Sequence, residues 1–218
     1  MRVYHFINRE YGLEDLKLRH LKVATINDLN DPFDIFPIDA SDSIIRYAFQ
    51  NFRQILADNL GLLCFSRDWH NPVQWSHYAE KHQGFCLGFD IPDERLDKVI
   101  YSRKLLVVNT EGILADNEHS IETAKKLLLT KYSHWRYESE VRAFINLRAL
   151  VSEKGMYFIK FSDNLRLAQV IIGSASTLSR LELIDALGDL APSIEVFKTR
   201  LAFKSFRVVK QRKQELWA

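Results

Sequence analysis

The chain has 218 residues, a formal net charge of +2, and 47% hydrophobic against 27% charged residues, the balance of a globular protein long enough to bury a substantial core. That near-neutral charge gives no whole-chain reason for a nucleic-acid or membrane partner, and no apolar run reaches transmembrane length. The two cysteines make no disulfide framework and the N-terminus lacks the apolar core of a signal peptide, so a reducing cytoplasm is the expected setting.

In chain order, residues 3–6 read as a short strand that carries His5. Asn8 can cap a brief helix through residue 17, with Glu10, Glu14 and Asp15 towards its N-terminal end. Residues 21–25 form the next strand. NDLNDPFD (27–34) is a loop, because Asn and Asp bond their own backbone and Pro32 fixes a turn. Phe33 is expected to plug back into the core and so hold Asp31 and Asp34 in place. Residues 41–59 recur apolar at helical spacing and end at Gly61.

An apolar run, 62–65, then ends at Ser66 as a buried strand. Asn71 and Pro72 open a helix that carries Trp75, Ser76, His77 and Tyr78 and stops near Gly84. A second apolar strand covers 85–89. Two short extended runs fall within 99–108, and a helix over 118–132 is capped by Asn117 or Ser120. Residues 137–145 alternate as a half-buried strand. Val141, Ala143 and Ile145 fall on one face, and Glu138, Glu140 and Arg142 on the other. Strands at 156–161 and 167–172, a helix over 178–190 ending around Gly188, and strands at 194–196 and 202–209 complete the chain. No repeat, low-complexity segment or long linker divides it. About eight short strands and three to four helices imply a single α+β domain over 1–218, with mixed, largely antiparallel sheets.

Two clusters could carry chemistry. One is the strand-helix-strand unit of residues 61–91, where an indole, a hydroxyl, an imidazole and a phenol stand in four consecutive positions. The other is KYSHWRYESEVR (131–142). Two adjacent carboxylates repel, so one of Glu138 and Glu140 can hold its proton near neutral pH. That suits acid-base work or stabilisation of a cationic transition state. Arg142 continues the same face and can pair with either. The competing reading is a solvent-facing ladder of opposite charges. His5 is either a core histidine bonded to backbone or a site residue. Ser76 and His77 are adjacent on a helix and cannot face each other as nucleophile and base. No metal-ligand spacing, GxGxxG, Walker loop or GxSxG is present.

CFSRDWHNPVQWSHYAEKHQGFCLGFD (64–90), with NDPFD (30–34) and KYSHWRYESEVR, resembles the bacterial domain of unknown function 2971 family. The resemblance spans about Tyr4 to Ile172 and brings no activity with it. The company that family keeps implies a sensor or a role in phage defence. A second, weaker resemblance is to ADP-ribosyltransferase-like domains. There a His or Arg on a first strand, a Ser or Tyr on a later one and a Glu of an E-x-E pair come in the order shown here by His5, Ser66 and Glu138-Ser139-Glu140. It implies a split sheet and NAD as substrate without a metal. His5 would hold ribose or phosphate, Tyr78 or Trp75 would stack on nicotinamide, and Glu140 would bond the ribose hydroxyl.

The catalytic candidates are therefore Glu140, Glu138 and His5. The ligand-binding candidates are Ser66, Trp75, Ser76, Tyr78, Asp31, Asp34 and Arg142. Three functions compete: an NAD-using transferase or glycohydrolase, a non-catalytic domain binding a nucleotide or similar small molecule, and, weakest, a nucleic-acid-acting protein with the basic residues 198–213 as its footprint.

Overall fold

The computed structural model describes residues 1–108 and 118–217. Strand β1 (Arg2–Ile7) leads to helix α1 (Arg9–Leu18), where the Asn8 side chain accepts from the Tyr11 N–H as the expected cap. Strand β2 (His20–Thr25) and a pair of short 3-10 turns follow. Helix α2 (Ser43–Asn59) starts behind the Asp42 cap and passes directly into β3 (Leu60–Ser66). Gly61 does not stop the helix as expected. It lies inside the strand, where an added Cβ would meet Val23 and stand 2.7 Å from Leu147 Cδ2. Its bareness therefore serves close packing.

Asn71 accepts from the Val73 N–H and opens α3 (Pro72–Tyr78), which ends before Gly84 because Glu80, Lys81 and His82 are left-handed. Then come β4 (Phe85–Asp90), β5 (Asp97–Lys98) and β6 (Ile100–Ser102). Helix α4 (Glu118–Leu129) gives up the last three residues of its expected span to β7 (Thr130–Tyr132), which pairs in parallel with β6. Of the two expected caps, Asn117 lies outside the described residues and Ser120 falls inside the helix, so Ser120 is not its cap. The strand expected from 137 begins only at β8 (Glu140–Asn146), because 133–138 coil into a 3-10 turn and Ser139 is left-handed. Strands β9 (Tyr157–Lys160) and β10 (Arg166–Ile172) precede α5 (Arg180–Leu187), which has a Ser179–Glu182 capping box and ends at Gly188. The chain closes with β11 (Glu195–Leu201) and β12 (Val208–Lys210).

Ten of these strands form one sheet, antiparallel except where β10 meets β11. Its decisive feature is a fork along β3. On one edge β3 pairs with β8 from Leu60 to Ser66 without interruption. Its other edge is shared. The β2 strand pairs at one end, through Ala24↔Leu62 and Thr25↔Gly61, and β1 meets only the far end, through the single pair Tyr4↔Ser66. Strands β12-β11-β10-β4-β1 thus diverge from the group built on β3, β8, β5, β2 and β9.

Alternation along the strands divides the core into layers. Val3, Leu63, Phe65, Leu87, Phe89, Val141 and Val170 face α1 and α5. On the opposite face, Leu62 packs with Phe49 of α2 and with Leu127 and Leu128 of α4. Also on that face, but across the fork, Cys86 and Ile171 pack with Trp75 and Ala79. Two separate cores on one face leave a gap between them, over the point where the sheet parts.

Candidate functional site

A cavity of about 370 Å³ occupies that gap, within the usual size of a small-molecule site. Tyr4, His5 and Phe6 line it from β1, Ala24 from β2, and Cys64, Phe65 and Ser66 from β3. Asp28, Leu29, Asn30 and Asp34 come from the loop after β2, Gln74 and Tyr78 from α3, and Lys131, Glu138 and Glu140 from the second cluster. The structure therefore brings His5, Ser66, Tyr78, Asp34, Glu138 and Glu140 around one hollow.

Its floor is a buried ionic cluster. Arg142, fully buried, holds Asp34 Oδ1 at 2.5 Å through Nη2 and Glu140 Oε1 at 2.7 Å through Nε. Its Nη1 donates to the Leu128 carbonyl at 2.7 Å, so one guanidinium ties together loop, strand and the end of α4. Lys131 Nζ lies 2.5 Å from Glu138 Oε2, 2.9 Å from Glu140 Oε2 and 3.3 Å from Asp34 Oδ2. Glu138 and Glu140 are both buried, which removes the solvent-facing charge ladder. They also meet for a reason other than the one expected. Glu138 is not on the strand, and the left-handed turn at Ser139 brings its carboxylate back to Lys131 beside Glu140.

The two carboxylates differ in character. Burial works against the charge of Glu140, but Arg142 and Lys131 outweigh it and hold the group down at about 2. Burial dominates at Glu138 and moves its pKa up, against the pull of Lys131. The Tyr78 hydroxyl donates to Glu138 Oε1 at 2.5 Å and accepts from Asn30 Nδ2 at 3.1 Å. Burial, with Glu138 beside it, pushes that phenol up. Lys131 stays protonated because Glu140, Asp34 and Glu138 overcome its own desolvation.

Several side chains set the frame. The Ser66 hydroxyl donates to the Glu138 carbonyl at 2.6 Å, fixing the turn that aims the Glu138 side chain. Gln74 Nε2 and Asn71 Nδ2 both donate to the Tyr137 carbonyl, at 3.0 and 3.2 Å, docking α3 on the same turn. The His5 Nδ1 takes the Cys64 carbonyl at 3.2 Å, on the stretch of β3 edge that β1 and β2 leave free. His5 is thus both bonded to backbone and part of the cavity wall. Burial lowers its pKa, so the ring is neutral at pH 7, with Nδ1 protonated and Nε2 left as an acceptor.

Other candidates sit elsewhere. Phe33 is 53% exposed, correcting its expected role as a plug. The Asp31 carboxylate accepts from the Phe33 N–H at 2.9 Å, Pro32 turns the chain, and the Asp34 carboxylate goes inward instead of the ring, drawn by Arg142. Asp31 therefore shapes the loop and does not line the cavity. Trp75 is fully buried in the α3 core, its Nε1 donating to the Trp69 carbonyl at 2.6 Å, and is not available to stack on a ligand. Ser76 is exposed, with its hydroxyl 3.4 Å from His82 Nε2. Arg142 acts from beneath the wall. The main contributor that residue-by-residue reading missed is Lys131. Its one signal is its place two positions after the apolar run Leu127-Leu128-Leu129, where a lysine is out of character unless paired. Tyr4, Phe6, Asn30 and Gln74 carry no comparable local mark.

Among the described residues, no group of three or more His, Cys, Asp or Glu side chains is placed to hold a metal ion, and no helix is long and apolar enough to cross a membrane. No curated protein and no solved structure matches the chain. The family described as "Protein of unknown function (DUF2971)" matches residues 74–143, a segment that holds most of α3, the turn at Ser139 and both buried glutamates. Over that segment, which contains the WSHYA and KYSHWRYESEVR blocks, the chain is similar to this family.

Proposed function

We propose that the cavity is the site of an ADP-ribosyltransferase-like or NAD-glycohydrolase enzyme that takes the nicotinamide-ribose end of NAD. The observation that carries this reading is the charge at the fork. Three carboxylates (Asp34, Glu138, Glu140) face two cations (Lys131, Arg142), an excess of one negative charge when all are ionised. Such a floor repels a phosphate and attracts a cationic ring or an oxocarbenium-like ribose. Glu140 supplies a fixed negative charge. Glu138, with its raised pKa, takes the proton of the attacking hydroxyl as the glycosidic bond breaks and nicotinamide leaves. The free Nε2 of His5 accepts from a ribose hydroxyl. Tyr4 and Phe6 supply the aromatic wall against which a flat ring packs.

The test is NAD turnover by purified protein, with Glu138→Gln and Glu140→Gln as controls. Loss of about a hundredfold or more in Glu138→Gln is expected for removal of a general base. No turnover by the parent protein, or unchanged turnover in both variants, overturns the enzyme.

A binding-only domain is the second reading, and one observation favours it. Both oxygens of Glu138 and both of Glu140 are already bonded within the protein. Thermal shifts with nucleotides that persist in both Gln variants, without turnover, select it.

A further inference from the structure

The β11–β12 hairpin carries a feature that the cavity does not use. From Val196 to Gln214 the sequence has seven Lys and Arg and no Asp or Glu, so the remainder of the chain is net acidic. At the hairpin tip Phe203 is 89% exposed and Phe206 is 98% exposed. Two bare phenylalanines on an ordered turn cost hydrophobic free energy that folding does not recover. Lys204 and Arg207 flank them, and the Arg200 guanidinium lies 4.5 Å from the Phe203 ring.

At the base of the hairpin is a cavity of about 290 Å³, lined by Arg180, Lys198, Lys210, Arg212 and Lys213 with the rings of Phe197 and Trp217. Lys210 Nζ lies 4.5 Å from the Phe197 ring, and Arg180 Cζ lies 4.8 Å from the Trp217 ring. The buried Nε of Arg180 has no hydrogen-bond partner among the described residues. Acids also reach this surface: Glu195 pairs with Lys210 at 2.7 Å, and Arg207 is close enough to Asp68 to help hold its pKa down.

We propose that this hairpin and the basic groove at its base bind single-stranded nucleic acid. Its phosphates would run along Lys198, Arg212 and Lys213, and its bases would stack on Phe203 and Phe206. The arrangement combines the two components such binding needs, a cationic track and exposed aromatic faces. An anionic membrane would engage the tip alone. The groove lies five residues down the strand from Phe203, about 17 Å at strand rise, and a flat lipid surface touching the tip leaves it unused. A flexible polyanion reaches both.

The experiment is fluorescence anisotropy with labelled oligo-dT and oligo-U, long enough to span the hairpin, on the full chain at salt from about 50 to about 200 mM. The expected result is binding that weakens steeply with salt. Phe203→Ala and Phe206→Ala should each weaken it by about tenfold while leaving the folded circular-dichroism signal unchanged. Both side chains are almost wholly in solvent, so neither variant removes core packing. Arg212→Gln/Lys213→Gln should lower the slope of log affinity against log salt by about 0.7 for each phosphate that is no longer neutralised. Three results overturn the proposal: no binding at the lowest salt, binding indifferent to both phenylalanine variants, or sedimentation with phosphatidylserine vesicles without oligonucleotide binding.

Discussion

Replacing Arg142 by Met tests the floor of the cavity most directly. The guanidinium is fully buried, bonds two carboxylates at 2.5 and 2.7 Å, and holds the last turn of α4 through the Leu128 carbonyl. Methionine matches its stem but removes the charge. Asp34 and Glu140 are then left in the interior with Lys131 as the remaining cation. Breaking a buried pair from one side costs about 3–5 kcal/mol, a large part of the roughly 5–15 kcal/mol that holds a domain folded.

The pH dependence follows with a definite sign. In the parent protein Glu140 is held at about 2, below its unfolded value of 4.5, so its stabilisation is present above 4.5 and is lost as pH falls towards 2. Without Arg142 the largest counterweight to burial is gone, so the Glu140 pKa moves up and the variant loses less of its stability in acid than the parent does. The gap between the proteins should narrow as pH falls from 7 to about 4. Urea denaturation followed by circular dichroism at several pH values measures it. A deficit under about 1 kcal/mol at pH 7, or one that does not change with pH, refutes the buried-cluster account. Asp34→Asn/Arg142→Met should recover part of the loss, because one of the stranded charges is gone.

Three further outcomes follow from single features of the fold. Burial raises Asp15 from 3.8 to about 7, so its share of stability is present below 3.8 and disappears as pH rises through 7. At about 1.36 kcal/mol per unit this is about 4 kcal/mol, and Asp15→Asn should flatten the stability profile between pH 4 and 8; an unchanged slope there would show that the carboxyl titrates normally. Gly61→Ala places a methyl group against Val23 and Leu147 and should cost about 1–3 kcal/mol in the same denaturation assay; a neutral variant would mean that β2 can move away. Cys64 and Cys86 are raised well above 9.0 by burial, so neither should alkylate with iodoacetamide at pH 8 in the native protein, while both react in urea. Rapid labelling of Cys64 in the native state would make the cavity wall far more open than described.

Much of the local structure was legible in the residues. Asn8 and Asn71 cap the helices they were expected to cap, Gly188 ends α5, and Val141 and Ala143 face inward from β8. The mixed, largely antiparallel α+β architecture followed from the alternation of such segments. Misreadings arose where a local rule met a distant partner. Gly61 looked like a helix stop but yields to Val23 and Leu147. Residues 130–132 looked helical but pair with β6. Phe33 looked like the core anchor, yet Arg142, more than a hundred positions away, draws in Asp34 instead.

Caps, turns and periodic faces are set by atoms within a few residues of one another, so the order of amino acids alone determined them, together with the short roster of polar groups able to serve a site. The fork is of another kind. Where β1 leaves β3 depends on which strand occupies each edge, and the pairing energies compared there come from segments far apart in the chain. For the same reason only the tertiary structure could decide that Lys131 and Arg142 converge on Glu140, that Trp75 belongs to the core, and that Tyr78 reaches Glu138. Desolvation and Coulomb attraction act through space and leave no local pattern to read.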